Sequence, residues 1–193
     1  MARKTYSTCL KADKRFLERA SWTPWLDAVG QVREEFAAFI NYDPMPNETA
    51  SMSVLASAAT RSGLLAMTEY VCKKHQKDRR KKLRNGRLDL WVGDPAVKRT
   101  WAFEAKQLHC RPGAREATIA AAMASACHDA ADIPDTEGDR FFGLLVATIP
   151  PEGECEKLCQ LLRDFRDQVE FAWEFGGHER PAFVFIRTAE RWR

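Results

Sequence analysis

The stretch LDLWVGDPAVKRTWAFEAK, residues 88–106, decides the fold of this chain of 193 residues. Its two ends are apolar runs typical of β-strands, and Gly93-Asp94-Pro95 between them is typical of a turn. Because alternate side chains of a strand share a face, Glu104 and Lys106 are expected to lie together. If the two strands pair, Asp89 of the first strand stands beside Glu104 of the second.

Two carboxylates and a lysine on otherwise apolar strands require a partner, because an isolated buried charge is strongly disfavoured. A cation bound between Asp89 and Glu104 would satisfy both carboxylates. Oxygen ligands with open water positions favour Mg²⁺ or Mn²⁺. Such a cation polarises a phosphoryl oxygen and helps to generate hydroxide, while Lys106 can hold the attacking water or stabilise developing charge. The alternative is an exposed glutamate–lysine pair on a solvated sheet face.

Charge along the chain is uneven. Residues 71–111 carry 13 Lys or Arg against 4 Asp or Glu, a net charge of +9, whereas the rest of the chain carries a net charge of −6. A basic segment of this kind indicates a surface that meets a polyanion. A solvated helix end followed by a basic hairpin is the alternative interpretation.

Helices are predicted on both sides of this segment. Pro24 is placed at the first position of a helix that continues to Ile40 and ends before the prolines of residues 43–47. A second helix is expected from about Ser51 to Lys77, bent near Gly63, followed by an Asn85-Gly86 hairpin turn. The strands around the Asn-Gly turn and the Gly-Asp-Pro turn predict an antiparallel meander of three strands.

Four further elements are predicted toward the C-terminus. An alanine-rich helix is expected over 115–131, and the continuous apolar run 141–149 is typical of a buried strand. An amphipathic helix from about Leu158 is expected to reach Gly176, and a final strand to cover 182–186. The predicted class is therefore α/β: an N-terminal helical extension (residues 1–48), then a domain (residues 49–193) of α-β-β-β-α-β order with a C-terminal α-β unit.

The Asp89 strand, the turn and the Glu104-Ala105-Lys106 triplet together resemble the two-part signature of the PD-(D/E)xK nuclease superfamily. The resemblance covers about residues 51–149 in motif placement and element order. It implies a restriction-endonuclease-like core with a mixed sheet. It also implies that Asp89 and Glu104 bind the metal with the carbonyl of Ala105, and that Lys106 is the catalytic lysine. Leu88 stands where the name-giving proline would be.

Many members of that superfamily also carry an acidic residue on the helix before the hairpin. Glu69 is the candidate for that residue, with Glu48 as the second choice. Gln107 follows the lysine directly, as in some members, and is a candidate contact for the metal-bound water or a phosphate. Its side chain is expected to point away from that of Lys106.

Basic residues around the hairpin are predicted to contact phosphates, which positions a nucleic acid without reading its bases. They are Lys73, Lys74, Lys77, Arg79, Arg80, Lys81, Lys82, Arg84 and Arg87. The resulting hypothesis is a Mg²⁺-dependent nuclease acting on DNA. A nuclease-like domain that binds nucleic acid without cleaving it is the alternative, as is RNA as substrate.

Composition narrows the class of protein further. Hydrophobic residues make up 45% and charged residues 30% of the chain, which is typical of a soluble globular protein. No apolar run is long enough to span a bilayer, and no apolar segment follows the basic N-terminus, so neither a membrane protein nor a secreted one is expected. Six scattered cysteines favour a reducing, cytoplasmic setting. A homodimer formed through the helix at 25–40 is an open possibility.

Overall fold

The computed structural model describes residues 6–76, 79–149, 155–176 and 181–190, and of residues 76 and 79–82 it describes the backbone alone. Within these ranges the chain forms one seven-stranded sheet and four α-helices. The helices are α1 (Arg19–Ile40), α2 (Glu48–Arg61), α3 (Glu116–Ala131) and α4 (Cys155–Phe165). The strands are β1 (Ser7–Ala12), β2 (Leu65–Gln76), β3 (Arg79–Asp94), β4 (Arg99–His109), β5 (Arg140–Thr148), β6 (Phe171–Phe175) and β7 (Ala182–Thr188).

The sheet is mixed, which confirms the α/β class. Its strand order is β1-β6-β7-β5-β4-β3-β2, and β4 and β5 are parallel while the other neighbouring pairs are antiparallel. Helix α3 connects the two parallel strands, as a crossover between parallel neighbours requires. The predicted antiparallel hairpin around Gly93-Asp94-Pro95 is confirmed as β3-β4, whereas the strand predicted before Asn85 is the first part of β3, and β2 completes the meander instead.

Helices cover both faces of the sheet. Apolar side chains of α1 and α2 form one core with Leu90, Phe103 and Leu144, and those of α3 and α4 form a second core with Leu145 and Phe183. Helix α3 lies very close to β5: a Cβ on Gly143 would stand 2.6 Å from the backbone nitrogen of Cys127. This close approach places the C-terminal half of α3 over the middle of β4.

The N-terminal segment is part of the main core. Trp22 of α1 is fully buried, with its ring centroid 4.8 Å from those of both Phe142 and Phe171. Strand β1, which the sequence analysis missed, pairs with β6 at the edge of the sheet. The division of the chain at residue 48 is still a prediction, but residues 6–40 share their packing with the rest of the sheet.

The predicted helix from Ser51 to Lys77 is wrong in its second half. Asn47 caps α2 by accepting a hydrogen bond from the N–H of Ala50, and the helix ends before Gly63, whose φ of 86° favours glycine. The chain then forms β2. The apolar spacing predicted a buried helical stripe that includes Leu65. In the structure Leu65 is 56% exposed, because it lies on the solvent side of an edge strand.

The predicted Asn85-Gly86 turn is also wrong. Strand β3 continues through both residues, and Asn85 pairs with Lys73 of β2. Helix α1 begins at Arg19, so Pro24 lies within its second turn and not at its first position. Helix α4 ends at Phe165, because the aromatic run that follows forms β6.

The other C-terminal elements match their predictions. The alanine-rich helix begins one residue later than expected, at Glu116, and the strands expected at 141–149 and 182–186 form β5 and β7. None of the helices in the described ranges combines the length and apolar character that crossing a membrane would need.

Candidate functional site

The site is built around an irregularity in the hairpin of β2 and β3. Thr68 pairs with Leu90 and Tyr70 pairs with Leu88, while Glu69 between them has a left-handed φ of 53°. Leu88 consequently packs in a different apolar cluster from Leu90, although the sequence alternation placed both on one face. Asp89 lies between these two leucines, at the point where β3 changes the face on which its apolar side chains pack.

Asp89 lies where β3 separates from β4. The described pairing of these strands runs from Asp94 with Arg99 to Leu90 with Phe103. Beyond it, the Oδ2 atom of Asp89 accepts a hydrogen bond of 2.7 Å from the backbone N–H of Ala105. The aspartate therefore takes the place of a backbone carbonyl of the neighbouring strand.

The carbonyl of Ala105 opens toward the same gap, because the N–H and C=O of one strand residue point the same way. Its oxygen accepts a hydrogen bond of 2.9 Å from the Nζ atom of Lys106. The Asp89 carboxylate, the Ala105 carbonyl and the Lys106 ammonium thus meet beside the middle of β4.

Glu104 lies on β4 opposite Gly143 of β5 and is only 5% exposed. Its Oε1 atom accepts a hydrogen bond of 2.5 Å from the Nζ atom of Lys74 on β2. Burial, together with the negative charge of Asp89, raises the pKa of Glu104 to about 7 in spite of this ion pair. The two carboxylates therefore interact, as expected from strand parity.

Burial also raises the pKa of Asp89, against the opposing effects of the Ala105 N–H and of two lysines. A carboxylate pair whose pKa values are both raised favours the binding of positive charge, since a bound cation stabilises the ionised forms. In the described structure that charge comes from Lys74 and Lys106.

Lys106 also reaches helix α3. Its Nζ atom forms an ion pair of 3.0 Å with Asp129. Burial lowers the pKa of Lys106, but the hydrogen bond and charge of Asp129, together with Glu48 and Asp89, raise it above its ordinary value. The lysine is therefore held as a cation. No sequence pattern predicts this role for Asp129, because only the packing of α3 on β4 brings the two residues together.

Glu48, the second candidate for the helix acid, lies on a helix near the other candidate site residues. As the first residue of α2 it lies close enough to Asp89 and Lys106 for their charges to affect its pKa, which burial raises. A backbone hydrogen bond from Gln107 opposes that rise. The placement of Glu69 on a helix is wrong, since it lies on β2.

Glu69 is partly exposed and forms an ion pair of 3.3 Å with Arg87 on the neighbouring strand. Gln107 points away from Lys106, as expected, toward α2 on the other face of the sheet. Its amide oxygen accepts a hydrogen bond of 2.9 Å from Ser51, and its amide nitrogen donates one of 3.4 Å to the carbonyl of Met45. The side chain of Gln107 therefore anchors the start of α2 and is not directed at a phosphate.

The predicted phosphate contacts fall into three groups. Lys73, Arg84 and Arg87 are exposed on the β2–β3 hairpin. Lys74 is an exception to the prediction, because its side chain turns inward to Glu104 and is 9% exposed. Lys77 and the side chains of Arg79, Arg80, Lys81 and Lys82 lie outside the described residues.

Two carboxylates and a backbone carbonyl form an all-oxygen donor set, which suits Mg²⁺ or Mn²⁺ with water as the remaining ligand. Asp89, Glu104 and Ala105 would hold such a cation. In the described ranges, however, no three His, Cys, Asp or Glu side chains are grouped closely enough to hold a metal by themselves. The oxygen ligands therefore suit a divalent cation chemically, although the ammonium of Lys74 is hydrogen-bonded to one of them, the carboxylate of Glu104.

Comparison with known proteins gives no independent assignment. No protein-family model matches the chain, and no match was found among curated proteins or among solved structures. The geometry of the site is therefore the basis on which a function can be assigned.

Proposed function

We propose that this protein is a Mg²⁺-dependent nuclease that hydrolyses phosphodiester bonds in DNA. The observation that carries the proposal is the meeting of Asp89, Glu104, the Ala105 carbonyl and Lys106 at one point of the sheet. The element order α2-β2-β3-β4-α3-β5 supports a restriction-endonuclease-like core. In that order Asp89 lies on β3, the second of the three core strands before α3, and the Glu-x-Lys triplet lies on β4, the third.

In this proposal the chain's own residues perform three tasks. Asp89 and Glu104 provide the negative charge that holds the cation, and the Ala105 carbonyl completes the protein ligands. The bound Mg²⁺ would polarise a phosphoryl oxygen and lower the pKa of a water molecule. Lys106, kept protonated by Asp129, orients the attacking water and stabilises charge that develops on the phosphate.

The polymeric substrate is inferred from the hairpin beside the site. Lys73, Arg84 and Arg87 are exposed on strands that lead directly to Asp89. Three cations in this arrangement supply phosphate contacts that hold a backbone near the site without reading its sequence. DNA is proposed over RNA on the resemblance to restriction enzymes, and digestion of both polymers side by side distinguishes them.

The decisive experiment is a cleavage assay on plasmid, single-stranded and branched DNA, with Mg²⁺ and with EDTA. Wild type is expected to cleave only with the metal, and Asp89→Asn is expected to be inactive while its circular dichroism is unchanged. Asp94→Asn is the matched control, because Asp94 ends the same strand but hydrogen bonds to Ser21, away from the site. Full activity of Asp89→Asn, or cleavage in EDTA, would overturn the proposal.

A second candidate function is binding of nucleic acid without cleavage. The ion pair between Lys74 and Glu104 favours it, because a permanently bound ammonium would block a metal ligand. This reading predicts salt-dependent affinity for DNA, no cleavage, and no heat of Mn²⁺ binding in calorimetry.

A homodimer is proposed as well, since cutting both strands of a duplex takes two sites. Helix α1 buries Trp25 in the core but exposes Phe36 and Phe39. These two phenylalanines provide an apolar surface for a second copy. Sedimentation of wild type and of Phe39→Ser tests the contact.

A further inference from the structure

Lys74 differs from every other predicted phosphate contact whose side chain the structure describes. It lies on β2, yet its ammonium crosses to Glu104 on β4 and forms a hydrogen-bonded ion pair of 2.5 Å. Its side chain is 11% exposed and that of Glu104 is 6% exposed. A buried ion pair repays its desolvation only when its geometry is good, so this contact is a specific feature of the site.

Gly86 of β3 makes this path possible. A Cβ at this position would stand 2.9 Å from the Cδ atom and 3.0 Å from the Cγ atom of Lys74. The lysine stem therefore lies across the backbone of β3 where a side chain is missing. The backbone of Gly86 is not in the left-handed region, so its conformation does not require glycine. The structural reason for glycine here is the room that the missing side chain leaves for the stem of Lys74.

The ammonium of Lys74 lies close to both carboxylates of the candidate site. Asp89 and Glu104 are partly buried and repel each other, and Lys74 lowers the pKa of both. A divalent cation held by the two carboxylates would do the same with twice the charge. Lys74 and the cation therefore compete for the carboxylate of Glu104.

We propose that Lys74 is a displaceable counter-ion of the site: it holds Glu104 until a divalent cation binds, and its released ammonium then contacts a phosphate of the substrate. The inference rests on the proposed function, because it assumes that Asp89 and Glu104 are the metal ligands. A four-carbon stem with a compact ammonium suits the second task, and β2 carries Lys73 beside it on the hairpin.

The proposal implies an order of events. Without metal the carboxylates are neutralised internally, so the site keeps its structure, and Lys74 is withheld from the nucleic acid. When metal binds, one further cation becomes available to the backbone. Binding of metal and binding of DNA should therefore strengthen each other, a reciprocity that thermodynamic linkage requires.

Accessibility of Lys74 to an amine acetylating reagent, followed residue by residue with mass spectrometry, tests the displacement directly. In EDTA Lys74 is expected to react slowly relative to the exposed Lys98, and saturating Mg²⁺ should accelerate its reaction severalfold, because release of the ion pair exposes the amine. Lys98 should react at the same rate in both conditions. An unchanged rate for Lys74, with Mg²⁺ shown by calorimetry to be bound, would overturn the proposal.

Two glycine variants provide a matched comparison. Gly86→Ala places a methyl group against the lysine stem, so Lys74 should react quickly even in EDTA. Gly176→Ala is the control, because a Cβ there meets no atom within 4 Å. If Gly86→Ala folds poorly, Glu104→Gln replaces it, since it removes the charge partner while keeping the shape of the side chain. Slow reaction of Lys74 in both of these variants would contradict the assigned contact.

DNA affinity with Ca²⁺ in place of Mg²⁺ provides the second readout. Wild type should bind DNA more tightly with Ca²⁺ than with EDTA, and Lys74→Met should lose most of that gain. If the proposed nuclease function itself is wrong, the result is different, because neither Mg²⁺ nor Mn²⁺ would then bind to the wild-type protein. Metal binding with an equal Ca²⁺ effect in Lys74→Met would overturn only the role of Lys74.

Discussion

Lys106 of β4 and Asp129 of α3 form an ion pair of 3.0 Å that joins the candidate site to the helix crossing behind it. The pair is about one-third exposed or less on both sides, and the same ammonium donates to the carbonyl of Ala105. Asp129 thereby fixes the position of Lys106 and keeps it protonated. It acts on the site through the lysine and is a positioning residue.

Asp129→Asn is expected to lower the cleavage rate by about 10²-fold, the range for loss of one charge-stabilising donor, while metal binding is kept. The alkaline limb of the pH–rate profile should move to lower pH, because the raised pKa of Lys106 falls when its partner loses its charge. Asp132→Asn, just beyond the end of the same helix, is the control. A rate loss without a shifted profile would assign Asp129 a purely structural role.

The raised pKa of Glu104 makes stability depend on pH. Between its ordinary value of 4.5 and about 7 the folded protein keeps the proton that the unfolded chain has lost, so stability falls as pH rises through this window. In EDTA, the free energy of unfolding of wild type should fall by about 3 kcal/mol relative to Glu104→Gln between pH 4.5 and pH 8.

Urea unfolding of both proteins across that pH range measures the difference. Glu69→Gln serves as control, since it removes an exposed carboxylate from β2, the edge strand of the same sheet. Parallel curves for wild type and Glu104→Gln would show that Glu104 is ionised throughout, and would contradict its burial beside Asp89.

The exposed arginines of the hairpin are expected to act through phosphate contacts alone. Arg84→Ala should weaken DNA binding equally for all sequences and reduce the slope of log affinity against log salt by about 0.9. Arg87→Ala should behave in the same way, because its exposed pair with Glu69 contributes little and can be exchanged. Filter binding at several salt concentrations measures both slopes.

Arg15→Ala is the matched control for charge, because Arg15 is exposed beside Asp13, next to the sheet edge formed by β1. An equal loss of affinity in Arg15→Ala would show that net charge, and not the hairpin, governs binding.

The N-terminal segment should be indispensable for folding. Removing residues 1–48 uncovers the aromatic core around Trp22, and the truncated chain is expected to be unfolded by circular dichroism. Trp22→Ala should cost about 3–5 kcal/mol of stability, as for other large buried aromatic residues. Phe39→Ala, which alters a side chain 89% exposed on the same helix, should cost little. A folded truncated chain would instead establish residues 49–193 as an independent domain.

The elements that sequence alone predicted well are those with one dominant pattern. Helix α3 and strands β5 and β7 were placed within a residue or two at most of their edges, because their apolar runs are long and their surroundings uniform. The segment of β2 predicts a helix because Leu64, Met67 and Val71 are three and four residues apart, a spacing that suits a helical stripe, whereas in the strand Met67 and Val71 are exposed. Edge strands follow burial patterns poorly, since neighbouring structure does not cover them.

The candidate site was predicted only in part for a related reason. Strand alternation placed Glu104 and Lys106 on one face, whereas Asp89 joins them where β3 separates from β4, through a hydrogen bond to Ala105 that alternation does not predict. Lys74 and Asp129 reach the site from other elements, and nothing in their own neighbourhoods marks them. Gly86 was read as a turn signal, whereas its missing side chain serves Lys74. From sequence alone, a glycine that forms a turn cannot be distinguished from a glycine that leaves space for a neighbouring side chain.

The pairing of β1 with β6 has a consequence for the time course of folding. Ser7 meets Phe175, so closing this edge joins segments separated by nearly the whole length of the chain. Contacts between such distant segments form slowly compared with those of a local meander such as β2-β3-β4. During synthesis, β6 leaves the ribosome long after α1, so the sheet that α1 packs against is completed only late. Until then, the apolar side chains that α1 buries against β6 remain exposed.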